Sequence, residues 1–182
     1  PFDIHVHDTY FVVAHFHYIV YGGSVFVIFS SIYHWYPKVT GRMLNENLGR
    51  FHFLITFVGF NLCFAPQHWL GLNGMPRRVA EYDPQFTFVN QLSSLGALLM
   101  ALSTIPFLWN IIQSAMAGPI AGPNPRRALT AEWLTSSPPP VENWDGPAPL
   151  VTEPYGYGKK EKKEDTELNS INLNNKLEDK DQ

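Results

Sequence analysis

His15 and His17 stand one residue apart in an uncharged run that reads Thr9-Tyr10-Phe11-Val12-Val13-Ala14-His15-Phe16-His17-Tyr18. Imidazole is the commonest protein ligand for transition metals, and it binds through a neutral ring nitrogen. Residues two apart on an α-helix point about 200° away from each other. Such a pair diverges, so it does not readily share one metal. Each histidine is instead placed to hold its own, with a planar cofactor on either side of one helix. The plainer alternative is that each ring finds a hydrogen-bond partner on a neighbouring helix. Ionisable groups inside membrane segments are costly and usually functional, which favours ligation for a pair in this setting.

The elements that position these residues follow from the charge pattern. The chain has 182 residues, 45% hydrophobic and 14% aromatic. No Asp, Glu, Lys or Arg occurs from Thr9 to Pro37, from Phe51 to Pro76, or from Pro84 to Pro125. Each interval exceeds the roughly 20 residues needed to cross a bilayer core. The pattern predicts an all-α membrane protein with spans at about 9–36, 51–72 and 88–117. A soluble three-helix bundle would need a polar stripe on each helix, and none is present. Asp8-Thr9 suits a helix start, Pro37 a helix end, and Pro66 and Pro106 predict kinks. Gly22 and Gly23 read as a place where a neighbouring helix or a large cofactor approaches closely, with helix packing the plainer reading. Cys63, the one cysteine, excludes a disulfide within the chain and reads as a small hydrophobe.

The loop after the first span holds Lys38, Arg42 and Arg50 against Glu46, and Arg126-Arg127 follow the third. The positive-inside rule assigns that side to the cytoplasm or its equivalent. Arg77 and Arg78 then lie on the opposite side, where paired carboxylates of a bound cofactor would explain them. From 118 to 182 the chain is proline-rich and then charged, which predicts a largely disordered tail. Trp133, Trp144 and Tyr155 read as contacts with the surface of a larger assembly. The opening, Pro1-Phe2-Asp3-Ile4-His5-Val6, reads as the interior of a longer protein. The net charge of −3 comes mostly from the tail, and nothing in the chain points to nucleic acid.

The run His7 to Tyr18 resembles the start of the tenth membrane helix of subunit I in the heme-copper oxidase family, in its cytochrome c oxidase branch. Pro66-Gln67-His68 with Gly74-Met75-Pro76-Arg77-Arg78 resembles that subunit's eleventh helix and the loop after it. The resemblance covers residues 1–117, and the stretch from Trp133 to Pro140 looks like bacterial versions. It implies three helices of a twelve-helix bundle in the bacterial plasma membrane or an equivalent energy-transducing membrane. It further implies that His15 is the axial ligand of a high-spin heme of the a3 type, at the catalytic iron. His17 would be one axial ligand of a low-spin a-type heme, with Phe16 between the two.

Further roles follow from the same resemblance. His7 and Asp8 would belong to a magnesium site, Asp3 would lie near a propionate of the high-spin heme, and Arg77 and Arg78 would pair with heme propionates. Copper beside the high-spin heme would be held by residues of the remainder of subunit I, outside this chain. The implied partners are that remainder, subunits II and III, the lipid membrane, and cytochrome c or a similar donor. The implied reaction passes electrons through the low-spin heme to the heme-copper pair, where dioxygen becomes water with proton translocation; the chain by itself would be inactive. A quinol-using oxidase and a b-type electron carrier are the alternatives. His5, His34 and His52 read as surface or interfacial residues, and His68 as a residue near the cofactor end. Tyr10 and Asn61 read as members of polar networks.

Overall fold

A computed structural model describes residues 1–147; the expectations for the charged end of the tail and for Tyr155 lie outside the described residues. Among the described residues there is no strand. Three helices, Tyr10–Thr40, Glu46–Leu72 and Pro84–Ala117, are long and apolar enough to cross a membrane. In lipid every backbone polar group needs an internal partner, and a helix supplies one for each. The chain is therefore an all-α membrane protein.

Caps are written into the sequence. Thr9 accepts the amide of Phe11 at the start of the first span, and the Asn45 carboxamide oxygen accepts the amides of Asn47 and Leu48 at the start of the second. The first span runs through Pro37 and ends at Thr40, with Gly41 left-handed behind it at φ 71°. Proline cannot donate to the carbonyl four residues back. That carbonyl, Tyr33, accepts instead from the Arg126 guanidinium at 2.9 Å, so the proline does not leave it unpaired. Pro66 and Pro106 likewise sit inside continuous helices.

The second and third spans pack closely along a ladder of buried polar groups. Gln67 donates to Ser93, Thr56 to Ser103, and Asn110 exchanges hydrogen bonds with the backbone of Asn45. Small residues permit the approach: a Cβ on Gly96 would strike the backbone of Cys63. The first span crosses this pair through Tyr18, Tyr21 and Phe26, which pack on Phe60, Cys63 and Phe64. Gly71 meets the backbone of Phe11. Among the described residues, nothing outside their own helix lies within 4 Å of where a Cβ on Gly22 or Gly23 would stand. Both belong to a π-helical segment, Tyr21–Val25, in which Phe26 donates to the Tyr21 carbonyl.

The described part of the tail, residues 118–147, is held by contacts with the spans. Residues 118–140 fold back under the ends of the first two spans. Met43 donates to Pro119 and Ala121 to Gly41, each at 2.8 Å. Lys38 is 5% exposed and gives its three ammonium hydrogens to the carbonyls of Pro123, Thr135 and Ser136. Trp133, expected to face other proteins, is 1% exposed and lies under the Lys38 ammonium and beside His34. Composition predicts that such a segment cannot build its own core, but a buried lysine and a tryptophan let it borrow one.

Candidate functional site

Thr9 fixes the start of the helix that carries His15 and His17, and the two rings meet different surroundings. His15 is exposed on the outer surface of the three helices. His17 is half-buried and stacks on Phe64 of the second span, with ring centroids 4.2 Å apart and planes 13° apart. Its Nδ1 lies 2.7 Å from the Val13 carbonyl, one helical turn back. A carbonyl only accepts, so that contact places the hydrogen on Nδ1 and leaves the lone pair on Nε2. Metal-bound histidines typically make such a bond through the nitrogen that does not ligate. Phe16 is exposed between the two. Chemically, one short stretch offers a preset imidazole lone pair on one side and an unencumbered imidazole on another.

The two polar motifs meet at one end of the spans. Tyr10 donates its amide to the Met75 carbonyl at 3.1 Å and Arg77 donates its amide to the Asp8 carbonyl at 2.9 Å, closing an antiparallel bridge between Thr9 and Pro76. The side chains repeat the pairing. Nε and Nη2 of Arg77 both reach Asp8 Oδ1, at 3.0 and 2.6 Å. These hydrogen bonds and the positive charge beside it hold the Asp8 carboxyl below the usual carboxylate range. Asp8 and Arg78 both adopt left-handed backbone, at φ 57° and 63°, a conformation that is uncommon for arginine. Leu70, Met75 and Phe86 pack beneath as a small core.

The remaining predicted site residues are more loosely placed. Asp3 is exposed on a one-turn helix, and its carbonyl faces His7 Nδ1 at 3.0 Å. His7 and Asp8 are adjacent, yet no group of three His, Cys, Asp or Glu suited to a metal exists among the described residues. They supply at most part of a coordination shell. His68 is half-buried, edge-on to Phe11. Tyr18 donates to Asn61 at 2.8 Å, which places Asn61 in a polar network; Tyr10 enters through its backbone only. His52, read as interfacial, is 2% exposed, sharing a 3.2 Å hydrogen bond with Tyr33 and stacking on Phe107. A small neighbour, Gly49, and the crossing of the spans enclose it. It borders a cavity of about 430 Å³ between the first and second spans, lined also by Phe26, Phe29 and Phe53.

Residues 1–99 match the family model described as Cytochrome C and Quinol oxidase polypeptide I. The chain belongs to this family. It is 58% identical over 168 residues to cytochrome c oxidase subunit 1 of Thermostichus vulcanus, covering 92% of this chain and 30% of the relative. Similarity to the protein of the same name from Synechocystis is also 58%, over 158 residues, 87% of this chain and 29% of that one. The subunit 1 of Corynebacterium diphtheriae is 49% identical over 148 residues, 79% of this chain and 26% of that protein. The chain thus spans about 30% of the length of the curated relatives it matches. Two contacts escape sequence reading: the Asp8–Arg77 pair and the lysine cage. Both join residues far apart in the chain, and the signal for each was only a charge beside an apolar boundary.

Proposed function

We propose that this chain is the heme-ligating part of the catalytic subunit of a terminal respiratory oxidase that takes electrons from cytochrome c and reduces dioxygen to water. The observation that carries the reading is the His15/His17 pair: two diverging imidazoles, one with Nε2 freed by its bond to Val13. When bound, the hemes and a copper supply one-electron transfer and oxygen chemistry. This chain's residues hold and orient them. His17 Nε2 ligates the low-spin heme while Phe64 fixes the ring plane. His15, free of internal hydrogen bonds among the described residues, ligates the high-spin heme at the catalytic iron.

Arg77 and Arg78 would pair with carboxylates of a heme, since guanidinium groups bind carboxylates through charge-assisted hydrogen bonds. Asp3, on the one-turn helix that precedes Asp8, would lie beside a propionate. His7 and Asp8 offer one nitrogen and one free carboxylate oxygen to a magnesium ion. That ion prefers six oxygen ligands, so the rest of its shell comes from water and partner chains. A heme substituent of a and a3 type, a copper held by the rest of subunit I, and subunits II and III as partners complete the proposal. An energy-transducing membrane, in bacteria the plasma membrane, is its setting. Relatives named for cytochrome c support that donor over a quinol.

The test is an optical spectrum of the natively purified complex, reduced and then exposed to carbon monoxide. Two heme populations with only one responding to the gas are expected. Replacement of His17 by Leu, which cannot ligate iron, should abolish the low-spin signal, and His15→Leu should chiefly disturb the gas-sensitive one. A single heme indifferent to carbon monoxide would leave an electron carrier and remove the oxygen chemistry.

A further inference from the structure

The adjacent arginines are not equivalent. Arg77 is fixed at three points by one residue: its amide to the Asp8 carbonyl, and its Nε and Nη2 to Asp8 Oδ1. Arg78 is exposed and makes no hydrogen bond or ion pair among the described residues. A guanidinium has five N–H groups in a rigid fork. Asp8 engages two of those on Arg77, so three remain, aimed by the grip. Asp8 also offsets the charge of Arg77 directly, whereas Arg78 has no ion pair among the described residues and feels Asp8 only at longer range. An anion approaching this end therefore meets a prealigned donor of little net charge beside a free cation.

We infer that Asp8 is the positioning residue for Arg77, and that it divides the work of binding a carboxylate-bearing group between the two arginines. Arg77 supplies directed hydrogen bonds, and Arg78 supplies the charge that stabilises the anion. Because both contacts fall on Oδ1, Oδ2 of Asp8 remains for another cation. The inference rests on the heme reading for the identity of the anionic group, though not for the grip itself.

The experiment uses the natively purified membrane complex with two readouts. The first is amide hydrogen exchange of the peptide covering residues 75–79, which needs no heme. Asp8→Asn should raise exchange there, Arg77→Lys should raise it similarly, and the double variant should add nothing further. Asp8→Glu, which keeps the charge and displaces the carboxylate, should rescue little. The second readout is the redox equilibrium of the bound hemes. Arg78→Gln should shift it several-fold toward the oxidised form, and Arg77→Gln by less than half as much on a logarithmic scale.

Unchanged exchange in Asp8→Asn, additive effects, or equal redox shifts from the two arginine variants would overturn the proposal. A complex that contains no heme would overturn the heme reading instead, while the exchange data would still decide whether Asp8 holds Arg77.

Discussion

The two ends of the helical bundle are closed by the same device and put to opposite uses. Each has one isolated antiparallel bridge, Thr9 to Pro76 at one end and Arg42 to Ile120 at the other. Each also has a cation brought in by it. At the first end the cation is Arg77, paired with a carboxylate that is 69% exposed. At the second it is Lys38, sealed from solvent by three carbonyls and a tryptophan ring. An exposed ion pair contributes little to stability, about 0–1 kcal/mol. A buried cation with every hydrogen engaged contributes much more, because its loss strands its acceptors. One end leaves its cation within reach of solvent and the other seals its cation away.

Breaking the shut end should have the largest effect. Lys38→Met leaves the carbonyls of Thr135 and Ser136 without that donor and Pro123 with Ser137 alone; a stranded buried acceptor costs about 1–3 kcal/mol, and we expect about 3 kcal/mol of lost stability. Limited proteolysis of the membrane-bound complex should show new cleavage within 118–147 before any change in heme content. Equal protection of that segment in the variant would contradict the cage.

Gly71→Ala should come next, at about 2 kcal/mol, since the new methyl meets the Phe11 backbone and overpacking typically costs about 1–3 kcal/mol. Because Phe11 leads directly into the His15/His17 turn, the thermal melt should fall together with heme retention. Gly22→Ala is the control, with open space around it and a small gain expected in helix propensity. A severe effect at Gly22 would reveal a neighbour packed there from outside the described residues.

Arg126→Lys should cost about 1 kcal/mol. A lysine cannot hold both the Glu46 carboxylate and the Tyr33 carbonyl, which the arginine fork reaches at 2.6 and 2.9 Å. The check is a denaturation midpoint measured beside that of Lys38→Met. Smallest of all in stability is Arg77→Lys, within about 1 kcal/mol. If Arg77→Lys destabilised the protein as much as Lys38→Met, the contrast between the ends would collapse.

Much of the bundle was legible because lipid imposes a blunt rule. A charge inside the bilayer is expensive and an unpaired backbone group more so, and the three uncharged runs therefore announce three helices. The divergence of His15 and His17 follows from helical geometry in the same way. What escaped was long-range pairing. Nothing local in Asp8 reveals that it meets Arg77, sixty-nine residues later. The helix limit at Pro37 was misread because the residue that rescues its orphaned carbonyl, Arg126, comes from beyond the third span. Composition reads Trp133 as an outward-facing remnant, since it does not record that the Lys38 ammonium lies over its ring.

The π-helical segment Tyr21–Val25 separates the histidine-bearing half of the first span from the half that carries Tyr33, His34 and Lys38. A widened turn absorbs one surplus residue, which in a regular helix would swing everything beyond it through about 100°. The segment thus acts as a spacer that uncouples the azimuth of the histidine-bearing turn from that of the anchoring turn. Removal of one residue within it should leave both halves facing their present neighbours, whereas the same deletion anywhere else between His17 and Tyr33 would turn one half away from its partners.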